Sequence, residues 1–189
     1  IQLDYLEEKF KEGIRLFLFS NPNNPTGAVY SSEEVRAIAR LAKQYHVSLI
    51  VDELYSRQIF DGRDYTHLCA LEDLPEEMVT IIGPSKTESR SGFRLGVAFG
   101  SEAVITRMEK LQAIVSLRCA GYCQAVFHTW FSEPEGFMTD RIAKHQAIRD
   151  DLVALLRSVP GVEVRPTDAG SYLFPKLPPM DISIGDFAK

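Results

Sequence analysis

Two continuous apolar runs, Leu16-Phe17-Leu18-Phe19 and Val47-Ser48-Leu49-Ile50-Val51, flank a single helix-patterned segment, and this arrangement constrains the fold more than any other feature. Runs with little polar alternation are what strands buried on both faces show. Between them, Ser31-Ser32-Glu33-Glu34 spells a capping box, with Ser31 as N-cap and Glu34 at the third helical position. Val35, Ile38, Ala39, Ala42 and Tyr45 then recur at helical spacing and form one apolar face. Strand, helix and strand in that order predict two parallel strands joined by a right-handed crossover.

A third run, Val79-Thr80-Ile81-Ile82, predicts another strand, and Leu95, Val97 and Phe99, alternating with small residues, predict a fourth. The expected class is α/β, a mostly parallel sheet flanked by helices. Residues 3–13 read as a short helix. From Glu102 a helix carries Val104, Ile105, Met108, Leu111 and Val115 on one face, and another is expected through Gln124–Phe131. After the break at Glu133-Pro134-Glu135-Gly136, an amphipathic helix is expected over Phe137–Arg157, with Ile142, His145, Ile148, Leu152 and Leu156 on its apolar side. Such a helix reads as a spine between domains. Val162-Glu163-Val164 and Ser171-Tyr172-Leu173-Phe174 are expected as antiparallel strands either side of a turn at Thr167–Gly170. Residues 1–133 therefore read as an incomplete large domain, and 134–189 as the spine and the start of an α+β small domain.

Composition narrows the function. The 189 residues carry a net charge of -5 with no basic run, which argues against nonspecific nucleic-acid binding. No apolar stretch approaches the ~20 residues that cross a bilayer. No charged leader with an apolar core opens the chain, so a cytoplasmic location is expected. Cys69, Cys119 and Cys123 read as reduced thiols, and neither they nor His46, His67, His128 and His145 show metal-ligand spacing. The chain starts without Met and ends mid-element, so it reads as a fragment.

In an open α/β sheet, chemistry collects beyond the carboxyl ends of the parallel strands. Asn24, Asp52 and Lys86 each follow such an end, so they are expected to converge. A lysine leaving a buried strand can be desolvated, which disfavours its charged form and makes it a usable nucleophile. Eight residues on, Arg94 offers a planar fork of donors suited to a phosphate. Taken singly, each feature has a plain structural reading: a turn at 21–27, a helix cap at Asp52, a surface charge at Lys86. Their conjunction at one sheet edge favours a site for a covalently held, phosphorylated aldehyde.

Asn21-Pro22-Asn23-Asn24-Pro25-Thr26-Gly27, Asp52-Glu53-Leu54-Tyr55 and Ser85-Lys86 with Gly92-Phe93-Arg94-Leu95-Gly96 together resemble class I/II aminotransferases, pyridoxal-phosphate enzymes of fold type I. The resemblance covers essentially the whole chain. It implies that Lys86 holds the cofactor as a Schiff base and then shuttles the substrate Cα proton. It also implies that Asp52 keeps the pyridine nitrogen protonated, that Tyr55 and Asn24 hydrogen-bond the ring's 3-oxygen, and that Ser85 and Arg94 bind the phosphate. Arg118 falls where such enzymes reach across a dimer interface, and Tyr172 lies in a stretch similar to the small-domain strand near the substrate. The implied partners are an amino acid, a 2-oxo acid and a second copy sharing its active sites.

The sequence departs from the pattern at Gly83, where the family commonly has serine, and at Glu88 and Arg90, where small or apolar residues are usual. Glu88 and Arg90 can form a surface salt bridge or face the pocket and shape its specificity. The family's N-terminal strands, and an arginine for the substrate carboxylate beyond residue 189, have no counterpart here. Three outcomes fit these motifs: transamination, another amino-acid reaction of the same cofactor (elimination or replacement, racemisation, oxidation), or a non-catalytic sensor domain.

Overall fold

A computed structural model describes residues 1–189. Its centre is a four-stranded sheet of β1 (Leu16–Ser20), β2 (Ser48–Asp52), β3 (Met78–Ile82) and β4 (Val97–Gly100), in that spatial order. β1, β2 and β3 run parallel, and β4 is antiparallel to β3. The expected crossover is present: α2 (Ser32–Gln44) joins β1 to β2, and both hydrogen bonds of the Ser31–Glu34 capping box form. Its Val35, Ile38, Ala39 and Ala42 are buried against Leu49 and Val51 of β2 and Phe10 of α1 (Leu3–Lys11). Burying a side chain the size of Val35 or Ile38 is worth about 1.5–3 kcal/mol, so this face contributes to the core chiefly through those two. The opposite face of β1 is open, with Leu16 and Leu18 exposed.

Beyond the sheet come α3 (Pro84–Thr87), α4 (Glu102–Val115), α5 (Gly121–Gln124), α6 (Phe137–Arg157) and α7 (Ile184–Phe187). No helix is long and apolar enough to cross a membrane. α4 forms over the expected residues, yet Met108, Leu111 and Val115 on its apolar face are exposed.

Three expectations are corrected. The helix expected through Gln124–Phe131 is the end of α5 followed by a 3₁₀ turn at Ala125–Thr129. On α6, Ile148 and Leu152 face solvent, and the buried residues are Arg149 and Val153. Arg149 is drawn inward because its guanidinium grips Asp61 at 2.6 and 2.9 Å and the Thr167 carbonyl at 2.7 Å, with Phe60 stacked beneath it. The antiparallel pair expected from 162–164 and 171–174 reduces to one bridge, Glu163 to Lys176. The backbone between them bonds elsewhere: Asp168 and Ala169 N–H donate to the Gly27 carbonyl, Gly170 N–H donates to Gln58, and Ala169 bridges Ile59. Backbone groups leaving water must find partners, and this segment finds them on the sheet-edge loops.

Candidate active site

The register of the sheet sets the site. Ser20 pairs with Asp52, and Asp52 pairs with Ile81, so the three parallel strands end level. Asn21 N–H continues the ladder to the Asp52 carbonyl at 3.0 Å, and Glu53 N–H to that of Ile81 at 2.8 Å. Because β4 runs antiparallel and Val97 faces Ile82, the whole 83–96 connection lies at this same edge. It carries Lys86 out and brings Arg94 back.

The loop after β1 is organised by its own side chains. Buried Asn21 accepts from Tyr30 N–H at 2.9 Å, and Asn23 accepts from the Thr26 hydroxyl at 2.6 Å while donating to Ser20 Oγ at 3.1 Å. Both Asn-Pro bonds, 21–22 and 24–25, are cis. Asn24 is left exposed, held only through its backbone N–H on Ser20 Oγ at 3.3 Å.

Asp52 closes β2 with Oδ1 accepting from Leu54 N–H at 3.0 Å, a turn that fixes the carboxylate and leaves Oδ2 open. Tyr55 is buried, and its Oη has no hydrogen-bond partner at good geometry. The ring of Tyr172 meets it edge-on, with centroids 6.4 Å apart. Burial first, then Tyr172 and the negative charge of Asp52, push the Tyr55 phenol up to about 12. Desolvation opposes the phenolate, so Tyr55 is a neutral donor across the physiological range.

In the 83–96 connection, Ser85 Oγ donates to the Leu95 carbonyl at 3.4 Å, tying the outgoing and returning arms together. Lys86 is half-buried on the single turn of α3. Arg94 is exposed, holds a left-handed φ of 50°, and donates to the Ser91 carbonyl at 2.9 Å. Arg118 pairs with Glu109 at 3.3 Å and shares one open depression with Arg94, Phe93 and Tyr122. The structure thus gathers Asn24, Asp52, Tyr55, Ser85 and Lys86 along one edge, with Tyr172 against Tyr55 and Arg94 beside Arg118.

The departures resolve differently from either expectation. A Cβ at Gly83 would lie 3.1 Å from the Leu95 carbonyl oxygen and 3.3 Å from Gly96 Cα, so close packing of the two arms favours glycine. Glu88 and Arg90 do not pair with each other. Arg90 donates to the Val126 carbonyl and to Thr129, whereas the Glu88 side chain is fully buried on Arg57, 2.6 Å away. Arg57 also grips Glu133 at 3.0 and 3.1 Å and stacks on Phe131. That bidentate hold on Arg57 brings Glu133 down to about 2. A second buried carboxylate, Glu53, accepts from Leu68 N–H at 3.0 Å and pairs with His67. Sequence reasoning missed Arg57 and Glu133; only the position of Arg57, two residues past Tyr55, hinted at the first.

Comparison with known proteins identifies the family. The family model described as aminotransferase class I and II matches residues 1–184. An aspartate aminotransferase of Pyrococcus horikoshii is 30% identical over 97% of this chain and 47% of its own length. A probable aspartate/prephenate aminotransferase of Rickettsia felis is 29% identical over 93% of the chain and 44% of its own. The crystal structure of an aspartate aminotransferase from Rhodobacter sphaeroides superposes with a TM-score of 0.95 at 60% identity, covering 98% of this chain and 47% of that one. The chain therefore spans about half the length of these relatives. With its motifs at one sheet edge and the family match running over nearly every residue, the chain belongs to the class I and II aminotransferases.

Proposed function

We propose that the full-length protein carrying this chain is a pyridoxal-phosphate-dependent aminotransferase that exchanges an amino group between an amino acid and a 2-oxo acid. The observation that carries the reading is the level edge of three parallel strands, which brings a lysine, a carboxylate and a buried phenol together. The residues fit the cofactor chemically. Tyr55 has a buried hydroxyl lacking a partner, Asp52 has a free carboxylate oxygen, and Lys86 belongs to none of the chain's ion pairs. When bound, the cofactor supplies an electron sink for negative charge at the substrate Cα.

The roles of the side chains follow from their chemistry. The Asp52 carboxylate favours a protonated pyridine nitrogen, because an opposite charge at close range stabilises the charged form. Tyr55 and Asn24 donate hydrogen bonds to the ring's 3-oxygen. Ser85 and Arg94 bind the phosphate, the guanidinium through paired N–H donors. The Lys86 amine holds the cofactor and then takes and returns the Cα proton. Arg118 and Tyr172 are assigned to the substrate side. The donor is aspartate or a similar dicarboxylic amino acid, a reading supported by the 60% identity to an aspartate aminotransferase. A cytoplasmic homodimer with shared active sites completes the proposal, and residues 134–189 belong to its spine and small domain.

Hydride reduction of the full-length protein with pyridoxal phosphate, followed by peptide mapping, is expected to place a pyridoxyl group on Lys86. An amino-acid panel with and without a 2-oxo acid acceptor is expected to yield product only with acceptor. An unmodified Lys86 overturns the cofactor assignment; product without acceptor overturns transamination.

A further inference from the structure

The Arg57–Glu88 pair joins two loops that the proposed chemistry needs at a fixed separation. Arg57 follows Tyr55 by two residues on the chain leaving β2, and Glu88 follows Lys86 by two on the chain leaving β3. Their 2.6 Å contact is a direct strut between the Asp52–Tyr55 stretch and the lysine turn. The strut is braced at both ends. Glu133 shares Arg57 Nη1 with Glu88 and also accepts from Nη2, Phe131 stacks on the guanidinium at 4.4 Å, and Thr87 hydrogen-bonds Glu88. From the far side, Arg141 of α6 grips the Thr87 carbonyl and the Ser89 hydroxyl.

We infer that Glu88 is a positioning residue, acting through Arg57 to hold Lys86 at the reach and angle at which its amine would meet a cofactor held by Asp52 and Tyr55. This rests on the cofactor assignment proposed above. The physical argument is economy of placement. A carboxylate buried to 0% exposure is costly unless it is paired and fixed. An apolar side chain would pack the same space without that cost, so packing alone gives no reason for the acid. What an ion pair adds is direction, because a guanidinium donates to a carboxylate only along its N–H vectors. Misplacing a reacting group by about 1 Å can slow its reaction on the order of a hundredfold, so a fixed strut matters here.

The test compares wild-type, Glu88→Leu and Glu88→Gln full-length proteins well below their unfolding temperatures. Cofactor-free protein is mixed with pyridoxal phosphate, quenched with borohydride at intervals, and the pyridoxyl adduct on Lys86 is counted by mass spectrometry. Noncovalent affinity for pyridoxal phosphate is measured separately in a Lys86→Ala background. The expectation is capture slowed roughly tenfold or more in Glu88→Leu and roughly threefold in Glu88→Gln, with noncovalent affinity changed less than about twofold. Capture at the wild-type rate overturns the inference, as does an equal loss of noncovalent affinity, which would mark general damage to the site. If Glu88→Leu fails to fold, Glu88→Gln decides alone, since it preserves shape and reach. Failure to capture Lys86 in the wild type would instead sink the cofactor assignment, so the two failures are distinct.

Discussion

Replacing Gly27 with alanine tests how tightly the 167–172 segment is held to the sheet edge. Gly27 has a φ of +65°, and an added Cβ would lie 2.4 Å from Thr167 Cβ and 2.8 Å from the Ala169 carbonyl oxygen. The left-handed conformation alone costs an alanine about 1–2 kcal/mol. Carbon atoms pack at roughly 3.5–4.0 Å, so the facing segment must retreat by about 1 Å. That retreat disrupts the two hydrogen bonds the Gly27 carbonyl accepts, from Asp168 N–H at 2.9 Å and Ala169 N–H at 3.1 Å. At a net ~1 kcal/mol each, the total reaches about 3–4 kcal/mol. Gly62 is the internal control, with a φ of +63° and nothing within 4 Å of an added Cβ. Gly62→Ala should therefore show only the backbone cost of about 1–2 kcal/mol. Urea unfolding of both variants in the full-length protein measures the gap of about 2 kcal/mol. Ultraviolet titration adds a second readout, because a retreating segment uncovers Tyr55 and lowers its phenol from about 12 in Gly27→Ala alone. Equal destabilisation by the two substitutions would refute the contact argument.

Three further outcomes are expected. Ser31→Ala removes the cap accepting from Glu34 N–H and should destabilise the protein by about 1 kcal/mol in chemical denaturation. Tyr55→Phe deletes a buried hydroxyl without a partner, so cofactor-free protein should be unchanged or stabilised by up to about 1 kcal/mol, while affinity for pyridoxal phosphate falls roughly tenfold. The raised phenol pKa gives stability that is full below about pH 10 and lost as pH rises through about 12, and Tyr55→Phe should make the alkaline loss shallower, leaving the part due to buried Tyr65. Glu133 has the opposite sign: its pKa is depressed from 4.5 to about 2, so its contribution is full above pH 4.5 and lost as pH falls through about 2. Acid titration of Glu133→Gln by circular dichroism should show a shallower loss of structure across that window.

The elements legible in the sequence are those whose causes are local. The Ser31 cap, the spacing from Val35 to Ala42 and the apolar runs of β1 and β2 each lie within one element, and each element forms where expected, although one face of β1 is exposed rather than buried. The sheet edge was legible for the same reason, since strand ends can be counted. What could not be read depends on partners far along the chain. Arg149 turns α6 about its axis because its ligands, Asp61 and Thr167, are 88 and 18 residues away. The 167–170 segment forgoes its hairpin because Gly27 and Gln58 offer it better-placed partners. Glu88 reads as a surface charge until Arg57, 31 residues earlier, is seen to cover it.

Two of the long-range holds around the sheet edge come from one helix. Arg141 and Arg149 lie eight residues apart on α6, a rise of about 12 Å along a rigid helix. The first holds the Lys86 turn through Thr87 and Ser89, and the second holds Asp61 and the carbonyl of Thr167, five residues before Tyr172. Glu133, at the break preceding α6, completes the hold through Arg57. Charge-assisted contacts therefore tie α6 to the lysine turn at Thr87 and Ser89 and to the 167–172 segment at Thr167. The helix expected as a spine thus also contacts, through Arg141, the turn that carries Lys86.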